Sequence, residues 1–176
     1  MKTRHIVVIG AALALASCAS ATAPGPGGAH TGPLLEEVRR ATGRYQDVGA
    51  ATSSGYAPFL GCVSGPQEGA MGVHYVNGEL VSDGEIDAAR PEALIYEPGR
   101  DGLSLVGVEY IVIAAAWDGK HKTPPTLMGQ VFHYNTAPNR YGIPAFYALH
   151  VWAWRDNPGG PFADWNSTVS CRNYRS

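Results

Sequence analysis

The sequence predicts an α+β domain in which an N-terminal amphipathic helix precedes a mostly antiparallel β-sheet, built as a sandwich or a small barrel. Two patterns carry this expectation. From Pro33 onward, Leu34, Leu35, Val38, Ala41, Tyr45, Val48 and Ala51 recur at three- and four-residue steps, with Glu36, Glu37, Arg39, Arg40 and Arg44 between them. That spacing gives a helix one apolar face. Beyond it, short runs rich in β-branched and aromatic residues are bounded by Gly, Pro, Asn and Asp, the signature of strands joined by turns.

In chain order, the first element is a targeting segment. Lys2 and Arg4 precede the apolar run Ile6 to Ala16, which is too short to span a bilayer. The run ends in Leu15-Ala16-Ser17-Cys18, which looks like the bacterial lipobox. Residues 1–17 are therefore expected to be a signal peptide, with Cys18 as the lipid-attachment site and acyl chains anchoring the protein to a membrane. Residues 18–32, rich in Ala, Pro and Gly, read as a flexible tether. Residues 33–176 then form a single globular domain facing the periplasm, outside the cytoplasm.

Within that domain, Thr31 ahead of Pro33 is expected to cap the helix, and Ser53-Ser54-Gly55 to stop it. Strands are expected at Gly72 to Val76, Ala93 to Tyr96, Ser104 to Ala114, Gly129 to Tyr134 and Ala145 to Trp154. Asn77-Gly78, Asp83-Gly84, Asp101-Gly102 and Asp118-Gly119 favour hairpins over helical crossovers. The acidic stretch Glu79, Asp83, Glu85 and Asp87 lacks the spacing of a calcium loop and reads as a solvated connection. Asn166-Ser167-Thr168 reads as a polar turn.

Composition narrows the function classes. The chain of 176 residues is 45% hydrophobic and 16% charged, in the range of a packed globule. With Lys2 and Arg4 assigned to the leader, 11 of the 13 basic residues remain against 15 acidic ones, a net charge of -4. Scattered basic residues on an acidic domain leave no footprint for a phosphate backbone, which excludes nucleic acid as a partner. No G-x-S-x-G elbow, Gly-rich phosphate loop or H-E-x-x-H is present.

If Cys18 carries lipid, Cys62 and Cys171 remain as an even pair in an oxidising compartment and are expected to form a disulfide. His5 and His30 fall in leader and tether, and His121 sits in a polar loop beside two lysines. His74, His133 and His150 instead lie in expected strands among large side chains. Period-two alternation places His150 with Phe146, Ala148, Trp152 and Trp154, and places Glu109 with Leu105, Gly107, Ile111 and Ile113. A buried carboxylate needs a cation, a donor or a metal. Neutral imidazoles with one carboxylate are a common ligand set for Zn, Fe, Mn or Cu, so His74, Glu109, His133 and His150 form the candidate metal site. Cupins use a comparable set of three His and one Glu, although their paired H-x-H motif is missing here.

Gly69-Ala70-Met71-Gly72-Val73-His74-Tyr75, Leu105-Val106-Gly107-Val108-Glu109-Tyr110 and His150-Val151-Trp152-Ala153-Trp154, with the ending Trp165-Asn166 through Val169-Ser170-Cys171, resemble a family of secreted bacterial proteins. The resemblance spans most of the chain after Ala41. It brings no established activity or fold, and no functional residue is carried over from it.

The leading expectation is a membrane-anchored envelope lipoprotein whose domain binds one divalent metal for storage, delivery or catalysis. The alternatives are a metal-free module whose aromatic groove holds a sugar or apolar ligand, and a structural envelope lipoprotein.

Overall fold

The computed structural model describes residues 32–175. The leader, most of the tether, Cys18 and the expected cap Thr31 lie outside the described residues. The expected single helix is divided into α1 (Pro33–Thr42), a 3-10 turn at Gly43–Gln46 and α2 (Val48–Ser53). Asp47 makes the break: its backbone is extended and its carboxylate accepts the Gly49 N–H at 2.8 Å, capping a new helix. Gly32 occupies the cap position of α1, with Pro33 following at the start of the helix. The stop at Ser53-Ser54-Gly55 is where the sequence places it.

The sheet strands are β1 (Ala57–Ser64), β2 (Ala70–Val76), β3 (Ala93–Pro98), β4 (Leu103–Ile113), β7 (His133–Asn135) and β8 (Phe146–Val151). The short pair β5 (Thr126–Leu127) and β6 (Gln130–Val131) stands apart as its own ribbon. The six strands run in the order β1-β2-β3-β4-β8-β7, and every pairing is antiparallel. β1 and β7 are the edges, so the architecture is an α+β domain with an open, curled sheet.

Strand β1 has no counterpart in the sequence reading. Pro58 and Gly61 weaken its strand pattern, and most of its side chains are exposed, as an edge strand allows. Two expected hairpins are helices instead. Asn77 accepts the Glu79 and Leu80 N–H groups and caps α3 (Gly78–Asp83), and Asp118-Gly119 closes α4 (Ala114–Asp118). Asp101-Gly102 does form a hairpin turn, between β3 and β4, with the Gly99 N–H donating to the Gly102 carbonyl at 2.7 Å.

One face of the sheet packs on the helical layer. Leu94, Tyr96, Val108, Tyr110, Val112, Leu149 and Val151 bury there against Leu34, Leu35 and Val38. Buried tyrosines satisfy their hydroxyls on backbone carbonyls: Tyr96 on Tyr45 at 2.6 Å and Tyr110 on Ala88 at 2.7 Å. The opposite face carries Ala93, Ile95, Ile111, Phe146 and Ala148. Leu105 belongs to the helix side rather than beside Glu109, because Val106 is an extra residue on β4 between the partners of Ile95 and Tyr96. Trp154 also crosses to the helix side: β8 ends at Val151, and the indole N–H donates to the Thr42 hydroxyl at 3.2 Å.

Cys62 and Cys171 are joined in a disulfide. The bridge fastens the chain's end to edge strand β1, where Tyr174 lies over Gly61. Asn166 is fully buried, with its side chain bonded to the Asp156 carbonyl and the Thr168 N–H, as a polar turn requires.

Glu92, just ahead of β3, is a buried acid that the sequence did not single out. Its carboxylate accepts the Ile111 N–H at 2.9 Å, standing in for a strand partner, and burial drives its pKa up to about 8. The folded state therefore holds this proton more tightly than the unfolded chain, whose value is near 4.5. The associated stability is complete below that value and is lost as pH rises through about 8. Glu92→Gln keeps an acceptor and removes the titration. Denaturant unfolding should show the variant more stable than the native protein at roughly pH 9, by on the order of a few kcal/mol, with the gap closing toward pH 5. An equal deficit at both pH values would contradict this.

Candidate metal centre

Strand register brings three of the four expected residues together on the face away from the helices. Glu109 on β4 is directly opposite His150 on β8, and His74 on β2 lies one strand beyond β3, opposite Ile95. On the intervening strand β3, Ala93 stands opposite Glu109, and its small side chain leaves room for His74 and Glu109 to meet. His74 Nε2 is 3.3 Å from Glu109 Oε2, and His150 Nε2 is 3.8 Å from Glu109 Oε1. His74, Glu109 and His150 are 6%, 7% and 3% exposed. One ligand atom from each lies within 4.8 Å of the others.

This separation is slightly wider than a single ion requires. Two ligands on one ion at about 2.1 Å can stand at most about 4 Å apart, so a small inward turn of the imidazoles completes the set. His150 supplies the most pointed observation: both of its ring nitrogens are buried and, among the described residues, have no hydrogen-bond partner. Buried polar atoms are nearly always hydrogen-bonded, and here each nitrogen has only a longer electrostatic contact with a carboxylate, a spacing that could admit a metal ion.

His133 stands outside the trio. It pairs with Ala148 and so shares the same face, but β7 is the sheet edge and its imidazole is 58% exposed. It contacts the others through Asp164. The Asp164 carboxylate is 3.0 Å from His133 Nδ1 and 3.6 Å from His150 Nδ1, the latter an electrostatic contact too long for a hydrogen bond. Asp164 was not legible as a site residue, being a lone acid in the loop after β8 with no spacing relation to any histidine. His121 is exposed and stacks on Trp117, as a solvated loop residue would.

The electrostatics separate the two imidazoles. Burial, reinforced by the neighbouring His150, depresses the His74 pKa to about 3. His74 is therefore neutral, and its contact with Glu109 is not an ion pair. Burial also opposes charge on His150, but the Glu109 and Asp164 carboxylates outweigh it and raise its pKa. Burial raises Glu109, with His150 pulling the other way, while contact with His150 holds Asp164 low.

His74 and Glu109, though not His150, line a cavity of about 330 Å³ on the same face. Its walls include Phe59, Leu60, Val81, Ile143 and Phe146. In comparisons with known proteins, no family model, no curated protein and no solved structure matches the chain, so the reading of this site rests on its geometry.

Gly107 lets β8 and Trp152 approach β4 beneath the centre: a Cβ there would stand 2.8 Å from the Val151 carbonyl oxygen and 3.3 Å from the Trp152 ring. Gly107→Ala should therefore displace the backbone next to His150 and destabilise the fold by about 1–3 kcal/mol in chemical denaturation. Gly78→Ala, where nothing lies within 4 Å, should cost nothing. Equal stability of both variants would mean that this close approach does not hold the site together.

Proposed function

We propose that the domain binds one divalent transition metal ion, of the Zn, Fe, Mn or Cu class, through His74, Glu109 and His150. The observation that carries the reading is His150, buried with neither ring nitrogen hydrogen-bonded among the described residues and set beside two further groups able to ligate a metal. A cation would satisfy all three side chains at once, where each alone is costly to bury. Asp164 beside Nδ1 suits the role of the carboxylate that orients a ligating histidine and leaves Nε2 for the ion. Glu109 on the ion and Asp164 behind His150 would offset the charge of a divalent ion, which lowers the cost of placing it in a dry site.

Three protein ligands leave at least one coordination position for water or a ligand, as in zinc sites that act on substrates. Metal held there would supply Lewis acidity or an activated water. We place this centre in a lipoprotein of the bacterial cell envelope, tethered through Cys18 with its domain outside the cytoplasm. The lipobox supports this placement, and so does the Cys62–Cys171 bridge, since such bonds persist in oxidising compartments.

Elemental analysis of protein purified without chelator should find close to one ion per chain. His74→Ala and His150→Ala should each weaken binding by about tenfold or more, while His133→Ala should change it little. Metal content that survives His74→Ala combined with His150→Ala would refute the site. For the tether, Cys18→Ala should abolish fatty-acid labelling of the protein in cells. Undiminished labelling would remove the lipoprotein assignment.

A further inference from the structure

We infer that the cavity above the centre receives a small apolar carboxylic acid, with its hydrocarbon body between the walls and its carboxylate on the metal. This rests on the metal-binding reading and adds the ligand class. The first observation is the division of polarity. His74, Glu109 and Tyr141 are the polar side chains among the lining residues; the other side chains there are apolar. The Tyr141 hydroxyl is turned to the Met71 sulfur at 3.5 Å. A sugar or a peptide would need donors and acceptors along the walls, and these walls offer almost none.

The second observation is depth. His74 and Glu109 are nearly inaccessible, whereas Phe59 and Leu60 are 36% and 57% exposed. The cavity thus runs from an apolar rim to a polar floor. A volume of about 330 Å³ is at the small end of ligand sites, which suits one short chain or ring rather than a two-chain lipid.

The third observation is the rim itself. Pairing of β1 with β2 jumps from Phe59 opposite His74 to Cys62 opposite Val73, leaving Leu60 and Gly61 as extra residues. Both adopt the left-handed conformation, with φ of 59° and 74°. For Leu60 this backbone is unfavourable. The bulge sets Leu60 at the mouth, and the disulfide at Cys62 secures the next position. Bulges of this kind re-aim side chains beside binding sites. The head group follows from charge: Asp164 lies behind His150, so Glu109 is the one anionic group on the ion itself, whose own ligand set keeps a positive charge that favours an anionic oxygen donor.

The test uses the full chain loaded with cobalt(II), titrated with acetate, butyrate, hexanoate and octanoate while the visible cobalt bands are followed. Each acid should shift the bands, and affinity should rise by up to about fourfold per methylene, toward roughly 4,000-fold over the six methylenes that separate acetate from octanoate. Ile143→Trp, which fills the cavity, should weaken octanoate by about tenfold or more relative to acetate. Equal affinity for acetate and octanoate, or cobalt bands indifferent to octanoate, would overturn the inference while leaving the metal site standing. Failure of the protein to take up cobalt would instead remove the metal reading and this inference with it. The chain-length series needs only the native protein, so it decides the matter even if the tryptophan variant does not fold.

Discussion

Glu109 lies on β4, a strand paired on both sides, and its carboxylate is buried among β2, β3 and β8. An isolated carboxylate ion in such a place costs several kcal/mol, so its neighbours must either neutralise it or satisfy it. The sheet meets that demand with a small residue at Ala93, opposite Glu109, and with imidazoles at His74 and His150 beside the carboxylate. Glu92 solves the same problem differently. It takes a backbone N–H from Ile111 and is held protonated by burial. One acid is closed off by the fold; the other faces two nitrogen ligands and a cavity.

The fold class was legible because periodicity and turn chemistry are local properties. The apolar stripe from Leu34 to Val38 and the β-branched runs of β3 and β4 specify their own elements. What escaped was set by exceptions to period. Asp47 divides the helix by capping, the extra Val106 moves Leu105 to the other face, and the end of β8 sends Trp154 across the sheet. Strand β1 was hidden because edge strands need neither alternation nor burial on both faces.

The site was legible to a similar extent and for a similar reason. An acid and two histidines stood at core positions of strands, and the register converts those positions into proximity. His133 showed the same local pattern, yet exposure depends on whether a strand is central or at the edge, which its own residues do not record. Asp164 reaches His150 only through the return of the chain after β8, and no sequence spacing encodes that contact.

Rigid strands hold the three ligand groups, whereas the bulged edge strand and the loop ahead of β8 supply the rim of the cavity. X-ray absorption at the metal edge of the native protein tests the central claim most directly, because it reports the identity and distance of the bound atoms. The account predicts two imidazole nitrogens and carboxylate oxygen at about 2.0–2.2 Å. A spectrum showing only water oxygens, or imidazole scattering that persists when His74 and His150 are both replaced, would contradict it.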